Sequence, residues 1–288
     1  VTAFDTGLYH LSSIGYAAQY RTIPGLANLY FTLGYHDSFF TFAAALTNGL
    51  WSADGWRLAN GLLVVMLGIE VAVRTLQRRA NPSLYVAALS LLVVAAIVLP
   101  QADAWIASPT PDTATMIACL VALTYGVDAL VASHRHQLAI ATMLVVGAWA
   151  VTMRPTMAVF VGVLAVVLVV REWRRGGRPV WPPHGIAWLT GALIAVLFIL
   201  QFTRDALTSG WLLYPASLVR LPFDWTTADP TPARLLSIGY NRVGPVAEAY
   251  TGAPGFGWLG PWLTTYLPAN RGTLALLAAL GIVSLVTG

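Results

Sequence analysis

Long apolar segments alternate along the chain with short polar connections, which predicts a bundle of membrane-spanning helices. A helix needs roughly 20 apolar residues to cross a bilayer, and fewer where flanking residues reach the interface. Seven segments come close to this length, namely Leu58–Val73, Leu84–Leu99, Ala114–Val131, Leu138–Met153, Met157–Val170, Ile186–Phe202 and Leu274–Thr287. The pattern therefore predicts an all-α integral membrane protein with at least seven transmembrane helices.

The charged residues are distributed unequally between the two sides of these spans. The connections after the first, third and fifth spans are short and basic, which marks them as cytoplasmic. Their cationic and histidine residues are Arg74, Arg78, Arg79, His134, Arg135, His136, Arg171, Arg174, Arg175 and Arg178. The opposite connections and the segment before the first span hold most of the acidic residues: Asp5, Asp37, Asp54, Asp103, Asp112, Asp205, Asp224, Asp229 and Glu248. The polar side chains that could carry chemistry therefore collect on the extracytoplasmic face.

The spacing of the spans also predicts the organisation of the chain. We expect a single membrane domain over residues 1–288, made of a first extracytoplasmic loop (1–57), six transmembrane helices (58–202), a second long extracytoplasmic loop (203–273) and a truncated transmembrane helix (274–288). The long loops are rich in aromatic residues, and Phe39–Leu50 is apolar but too short to span, which favours helices lying in the interface. Because the chain lacks an initiator methionine and stops within an apolar run, we expect it to be a fragment of a longer protein.

Composition narrows the function classes. The chain is 57% hydrophobic and 10% charged, and its net charge of +4 comes entirely from arginine, because there is no lysine. This modest charge, concentrated in short loops, serves orientation and does not indicate nucleic-acid binding. One cysteine, Cys119, excludes a disulfide within the chain.

Metal-binding motifs and a phosphate-binding glycine loop are missing from the sequence, and no charge lies near the middle of a span, which counts against a pump. Glu70 and Arg74 are predicted to form an i,i+4 pair.

The first loop contains the acidic candidate. Asp5 would sit where a preceding transmembrane helix leaves the bilayer, and a partly desolvated carboxylate there can accept a proton from an attacking hydroxyl. Asp5 or Thr6 could equally cap the helix His10–Tyr20. His10 lies about one helical turn from Asp5, so that it either shares a site with Asp5 or donates to a backbone carbonyl at the interface. Asp37 fits the N-cap of the interfacial helix.

Three arginines are candidate anion ligands. Arg21 precedes Pro24-Gly25 without an obvious helical partner. Arg154 lies on the side where positive residues are disfavoured, so it binds either an anionic substrate group or lipid phosphates, and Arg204 repeats the pattern where the sixth span emerges. Asp112 ends the segment Ser108–Asp112, which has the start signals of a helix and whose free N–H groups could also face a phosphate.

Several short motifs together resemble a known family. They are Asp5–His10, Pro24–Leu29, Leu33–Tyr35, Ser108–Asp112, Ser209–Trp211, Tyr214-Pro215 and Asp224-Trp225. In this order they resemble a largely uncharacterised bacterial multi-pass family that is thought to be related to the GT-C glycosyltransferases. The chain departs from the family at His36-Asp37, where the family has an Asn-Ser pair, and at Tyr30-Phe31-Thr32, where the family has a His-x-Arg; no role is carried over to these positions.

The resemblance implies a GT-C-like fold and transfer of a sugar from a polyprenyl-phosphate donor, with inversion, at the extracytoplasmic face of the bacterial inner membrane. By this resemblance Asp5 takes the place of the acidic catalytic residue, the lipid-linked phosphate is held by Arg154, Arg204 or Arg21, and donor or acceptor is oriented by His10, Asn28 and Asp112. The expected partners are membrane lipid and the lipid-linked sugar, which is a substrate, and no cofactor is implied. Sugar, acceptor and metal requirement are left open.

Two other functions use lipid-linked substrates. A transporter or flippase would need a polar path through the bilayer, and the spans contain none. A polysaccharide polymerase or ligase would depend on arginines of the large outer loop, namely Arg204, Arg220, Arg234 and Arg242, more than on Asp5.

Overall fold

The protein is helical throughout the part of the chain that the structure describes. The computed structural model describes residues 5–35, 37–48, 51, 54–77, 82–131, 136–174, 184–232, 235, 257 and 259–266. In these ranges the only strand-like pairing is one isolated bridge between Trp211 and Arg220, so the all-α prediction is confirmed there. The predictions for His36, Arg78, Arg79, His134, Arg135, Arg175, Arg178, Arg234, Arg242, Glu248 and Leu274–Thr287 lie outside the described residues.

The helices follow one another with short connections. A π-helical turn, Thr6–His10, leads into the first regular helix. In chain order the helices are α1 (Leu11–Gln19), α2 (Ser38–Thr47), α3 (Ala59–Leu76), α4 (Pro82–Val98), α5 (Ala102–Trp105), α6 (Pro111–Val131), α7 (His136–Met153), α8 (Met157–Arg174), α9 (His184–Ser209) and α10 (Leu259–Pro261). The 3₁₀ turns Leu26–Asn28, Phe31–Gly34, Gly55–Leu58 and Leu99–Gln101 join some of them.

Four helical stretches are long and apolar enough to cross a membrane: Gly55–Leu76, Pro82–Trp105, Pro111–Val131 and Gly185–Ser209. They coincide with the first, second, third and sixth predicted spans. The fourth and fifth predicted spans are also helical, but their apolar parts, Gln137–Met153 and Met157–Arg171, are shorter. A total of seven spans therefore stays a prediction. Large apolar side chains on the outward faces, such as Ile69, Leu92, Val163 and Leu200, are exposed, as lipid-facing side chains are.

Helix α6 is the centre of the packing, because it contacts α3, α4, α7 and α8. The face of α6 that is buried carries small residues, including Ala114, Ala118 and Ala122, which allow close approach of helix backbones. Larger side chains, among them Leu67 and Met143, fill the space around them.

The segment that the sequence assigned to the interface forms helix α2. Asp37 is its N-cap, as predicted, because the Asp37 carboxylate accepts a hydrogen bond from the Phe39 N–H at 2.9 Å. Phe39, Phe40 and Ala43 are buried against the core. One face of α2 is therefore a core surface, and the hydroxyl of its first residue, Ser38, is hydrogen-bonded to the Thr152 hydroxyl of α7 at 2.8 Å.

The predicted pair of Glu70 and Arg74 is confirmed, with Arg74 Nε 2.7 Å from Glu70 Oε1. Arg74 Nη1 also lies 2.6 Å from Asp128 Oδ2, so the same guanidinium joins α3 to α6. Glu70, Arg74 and Asp128 therefore form one ionic network.

By compactness the chain divides into two units, residues 1–214 with 219–227, and residues 215–218 with 228–288. The first unit holds α1 to α9. In the described part of the second unit, Ser217 Oγ donates to the Asp229 carboxylate and contacts the Thr231 hydroxyl, and α10 leads into a π-helical turn, Trp262–Tyr266.

Candidate functional site

The start of α6 is fixed by buried polar contacts. Asn60, in the first turn of α3, is 1% exposed, and its Nδ2 donates to the carbonyls of Ser108 (3.0 Å) and Thr110 (2.9 Å). The Ser108 hydroxyl is also hydrogen-bonded to the hydroxyl of Thr6. These bonds tie the segment that ends at Asp112 to α3 on one side and to the turn before α1 on the other.

Arg154 and Asp112 form an ion pair where α7, α8 and α6 meet. The backbone N–H of Arg154 completes the last turn of α7 by donating to the Ala150 carbonyl. Its Nε and Nη2 both donate to Asp112 Oδ1, at 3.0 and 2.7 Å. Its Nη1 makes no hydrogen bond to another described residue. Burial alone would lower the pKa of Arg154, but the charges of Asp112 and Asp37 outweigh it and raise the pKa. The guanidinium is thus cationic, oriented and still able to donate.

His10 lies beside this pair in an apolar setting. It is 2% exposed, and its ring centroid is 4.5 Å from that of Tyr9 and 5.1 Å from that of Phe40. Neither ring nitrogen has a hydrogen-bond partner among the described residues, so the interpretation that His10 donates to a backbone carbonyl is wrong within that part of the chain. Burial, with a smaller contribution from Arg154, lowers the pKa of His10 to about 4. The imidazole is therefore neutral at physiological pH.

Asp37 adds a buried carboxyl group to the cluster. It is 5% exposed, and its second oxygen, Oδ2, is buried without a partner in the described structure. Burial raises the pKa of Asp37 to about 7, against the opposing effects of Arg154 and of the Phe39 N–H bond. Asp37 can therefore gain or lose a proton near neutral pH.

Tyr9 connects Asp5 to the cluster. Burial raises the pKa of the half-buried Tyr9 phenol, Arg154 lowers it, and the carboxylates of Asp5, Asp37 and Asp112 raise it further. The phenol therefore lies within electrostatic reach of all four charges. Asp5 itself is exposed and makes no capping hydrogen bond, so the N-cap interpretation of Asp5 is wrong, whereas its role as a base stays a prediction.

An apolar groove opens between α6 and α8 directly at the ion pair. It encloses about 480 Å³ and has Asp112 and Arg154 at its mouth. Its other lining residues are Thr115, Met116, Cys119, Leu120, Leu123, Thr156, Met157 and Phe160. From Asp112 to Leu123 the groove follows α6 for eleven residues, about 16 Å at 1.5 Å per residue. That is about half of the hydrocarbon thickness of a bilayer.

The remaining predicted site residues lie elsewhere. Asn28 Nδ2 donates to the Trp225 carbonyl at 2.7 Å, which is a bond between loops. Arg21 and Arg204 line a second cavity of about 200 Å³ at the C-terminal ends of α1 and α9. The structure thus brings Asp112, Arg154 and His10 together and places the other two arginines in a cavity that shares no lining residue with the groove.

Four contributors to the site were not predicted as such: Tyr9, Asp37, Asn60 and the groove. Tyr9 lies within the motif Asp5–His10 but had no assigned role, and Asp37 was predicted only as an N-cap. Asn60 carried a usable signal, because a lone amide in the first turn of an apolar helix needs hydrogen-bond partners. The sequence signal for the groove was weaker: Met116, Leu120 and Leu123 recur at helical spacing on one face of α6. Among the described residues, no group of three or more His, Cys, Asp or Glu side chains could hold a metal ion.

These observations define a class: an all-helical protein with helices that could span a membrane and a charged cluster at the mouth of an apolar groove. The chain belongs to the family described as a domain of unknown function (DUF8201), whose family model matches residues 1–287. No curated protein and no solved structure matches the chain significantly.

Proposed function

We propose that this protein is a membrane-embedded, GT-C-like glycosyltransferase that moves a sugar from a polyprenyl-phosphate donor to an acceptor on the extracytoplasmic side. The observation that carries the proposal is the groove between α6 and α8, which is charged at its mouth and apolar along its length. A polyprenyl-phosphate sugar divides in the same way, into an anionic head and a long apolar chain. The volume of the groove, about 480 Å³, lies within the range of about 300–1,000 Å³ that small-molecule sites enclose.

In this proposal the isoprenoid chain lies against Met116, Leu120 and Phe160, and the phosphate meets Arg154 at the mouth. Asp112 accepts hydrogen bonds from Nε and Nη2 of the guanidinium. The ion pair thus fixes the orientation of the guanidinium and leaves Nη1 free to donate to a phosphate oxygen. Negative charge increases on the phosphate as its bond to the sugar breaks. A pre-oriented cation at that position stabilises the transition state more than the ground state.

The chemical step needs one base. The acceptor hydroxyl oxygen attacks the anomeric carbon on the face opposite the phosphate, the bond from that carbon to the phosphate oxygen breaks, and the products are an inverted glycoside and polyprenyl phosphate. The hydroxyl proton passes to a carboxylate, which the resemblance assigns to Asp5. Phosphate leaves without protonation, so the second carboxylic acid that glycosidases use is not required.

Turnover by the full chain in lipid nanodiscs tests the proposal directly. The protein is supplied with a panel of short-chain polyprenyl-phosphate hexoses and a polysaccharide acceptor fraction, and released polyprenyl phosphate is measured. Asp5→Asn and Arg154→Gln should each lower release at least a hundredfold, whereas the exposed Asp54→Asn should not change it. Full turnover in both Asp5→Asn and Arg154→Gln would remove the proposed mechanism.

The single cysteine offers a test of the groove that does not depend on turnover. Cys119 lines the groove, so a bound isoprenoid chain should slow its modification by a lipophilic maleimide. The matched control is Val163→Cys in a Cys119→Ser background, because Val163 is 57% exposed on α8 and does not line the groove. Equal protection of both positions by polyprenyl phosphate would mean that the lipid does not occupy the groove.

A further inference from the structure

The cavity at the C-terminal ends of α1 and α9 is polar and cationic. It encloses about 200 Å³ and is lined by two arginines, Arg21 and Arg204, with the tyrosines Tyr16 and Tyr20 and the threonines Thr22 and Thr208. No carboxylate lines it, and neither arginine forms an ion pair with a carboxylate of the described residues. Two positively charged side chains therefore face a small space that no carboxylate of the described residues lines, and the neighbouring Asp205 acts electrostatically on Arg204 from outside that lining.

The hydrogen-bond donors of Arg204 are only partly paired within the described structure. Its Nη1 donates to the Thr41 hydroxyl at 2.8 Å, but its Nε is buried without an acceptor in the described structure. Asp205, the next residue along α9, accepts instead from Gln201 Nε2 at 3.2 Å. A guanidinium that is partly removed from water with an unmatched N–H is unfavourable unless an acceptor is supplied. Nε has no accessible surface, so an anion in the cavity would not bond to Nε itself but would balance the charge of the guanidinium that lines the cavity.

Arg21 is brought to the cavity by backbone geometry. The loop after α1 is docked on α9 by the Gly25 N–H, which donates to the Leu207 carbonyl at 2.9 Å. Gly25 has φ +71°, and a Cβ there would come within 2.8 Å of Trp225 Cβ, so the close approach requires glycine. The hydrogen bond from Asn28 to Trp225 holds the same loop at its other end. Arg21 and Arg204 are therefore placed together before any ligand arrives.

We infer that this cavity is a second anion site, which binds a phosphate group between Arg21 and Arg204. Two guanidinium groups match a doubly charged tetrahedral anion in both charge and hydrogen-bond geometry. A cavity of 200 Å³ is below the range of about 300–1,000 Å³ that whole small-molecule ligands occupy, so it fits a phosphate head and not a saccharide. This inference is a statement about binding and does not depend on the proposed transfer reaction.

Two sources share this chemistry, a soluble phosphate ester and the phosphate of a membrane lipid. The test uses the full chain in nanodiscs and measures thermal stability. In one arm, zwitterionic nanodiscs are titrated with inorganic phosphate and benzyl phosphate against chloride at equal ionic strength. In the other, the nanodiscs contain phosphatidic acid, and the lipid retained after exchange is quantified. Each arm is repeated with Arg21→Gln, Arg204→Gln and the control Arg57→Gln, an exposed arginine beside Asp54.

We expect phosphate to raise the melting temperature of the wild type and of Arg57→Gln, with an apparent affinity at least tenfold weaker in Arg21→Gln and Arg204→Gln. Retention of phosphatidic acid that depends on the same two arginines, without an effect of soluble phosphate, would support the site with a lipid as its source. The inference is overturned if neither arm depends on Arg21 and Arg204. Arg21 is exposed, so its variant keeps the test valid if Arg204→Gln does not fold. Arg154→Gln should retain this binding, which separates failure of the site from failure of the proposed function.

Discussion

Replacing Asp37 by Asn should stabilise the protein, and the gain should grow with pH up to about pH 7. Burial raises the pKa of Asp37 from 3.8 to about 7, so the folded state prefers the neutral carboxyl group. A raised pKa contributes stability that is complete below the unfolded value and is lost as the pH rises to the folded value. Asn is neutral at every pH, accepts the same hydrogen bond from the Phe39 N–H, and is as good an N-cap as Asp.

The size of the effect follows from the shift. A rise from 3.8 to about 7 changes the protonation equilibrium about a thousandfold, which corresponds to about 4 kcal/mol at pH values well above 7. At pH 5.5 the free energy of unfolding of the wild type has fallen by about 2 kcal/mol, because it falls by about 1.4 kcal/mol per pH unit between the unfolded pKa of 3.8 and the folded pKa of about 7. The advantage of Asp37→Asn should therefore rise from about 2 kcal/mol at pH 5.5 to about 4 kcal/mol at pH 8.5.

Thermal unfolding in detergent micelles, followed by tryptophan fluorescence between pH 4 and pH 9, measures this difference. The matched control is Asp54→Asn, because Asp54 is exposed and its only ion pair with a described residue is the loose contact with Arg57 at 3.5 Å. Asp54→Asn should leave the pH profile unchanged. The reasoning fails if Asp37→Asn is less stable than the wild type at pH 8.5, or if the difference between them does not vary with pH.

Three further substitutions test how the site is held. Asn60→Ala removes the two hydrogen bonds to the segment before α6 and should lower the free energy of unfolding by about 2 kcal/mol. Urea unfolding in mixed micelles measures this loss, and a loss below about 0.5 kcal/mol would contradict the role assigned to Asn60. Gly25→Ala places a Cβ against Trp225 at positive φ and should destabilise the protein by about 1–2 kcal/mol or more. The control is Gly185→Ala, which should not destabilise the protein, because Gly185 is exposed and has open space around it. Arg74→Ala leaves two partly buried carboxylates without their cation and should lower stability by about 2 kcal/mol. Arg57→Ala, which removes an exposed pair, should cost less than about 1 kcal/mol, and equal losses in the two variants would argue against the ionic network.

The sequence predicted the helical scaffold well because bilayer length and hydrophobicity leave few alternatives. A helix forms in each of the first six predicted spans, and a helix satisfies its backbone hydrogen bonds within the segment, as a bilayer would require. The Glu70–Arg74 pair and the Asp37 cap were equally accessible, because both depend on residues fewer than five positions apart. Local spacing determines such contacts.

The arrangement of the site could be predicted only in part. Asp112 and Arg154 are 42 residues apart, and nothing in their local sequence states that α6 and α7 place them together. The contact between Thr6 and Ser108 spans 102 residues and depends on how the turn before α1 lies against the segment before α6. The three arginines were predicted as alternative phosphate ligands. Arg154 and Arg204 lie at outer ends of apolar spans, and Arg21 has no obvious helical partner. Their separation into two cavities is a property of the tertiary packing.

Helix α1 runs between the ion-pair cluster and the arginine cavity. The turn before it carries Tyr9 and His10 at the ion-pair cluster, and its last residues, with Tyr20 after it, line the arginine cavity. Ten residues from His10 to Tyr20 correspond to about 15 Å along a helix, which is a distance that one extended substrate could bridge. Thr6 fixes one end of α1 to Ser108, and Asn48 fixes the other by donating to the Ala18 carbonyl at 2.7 Å. An anion bound at Arg21 and Arg204 would add a further contact near the C-terminal end of α1, about 15 Å from His10.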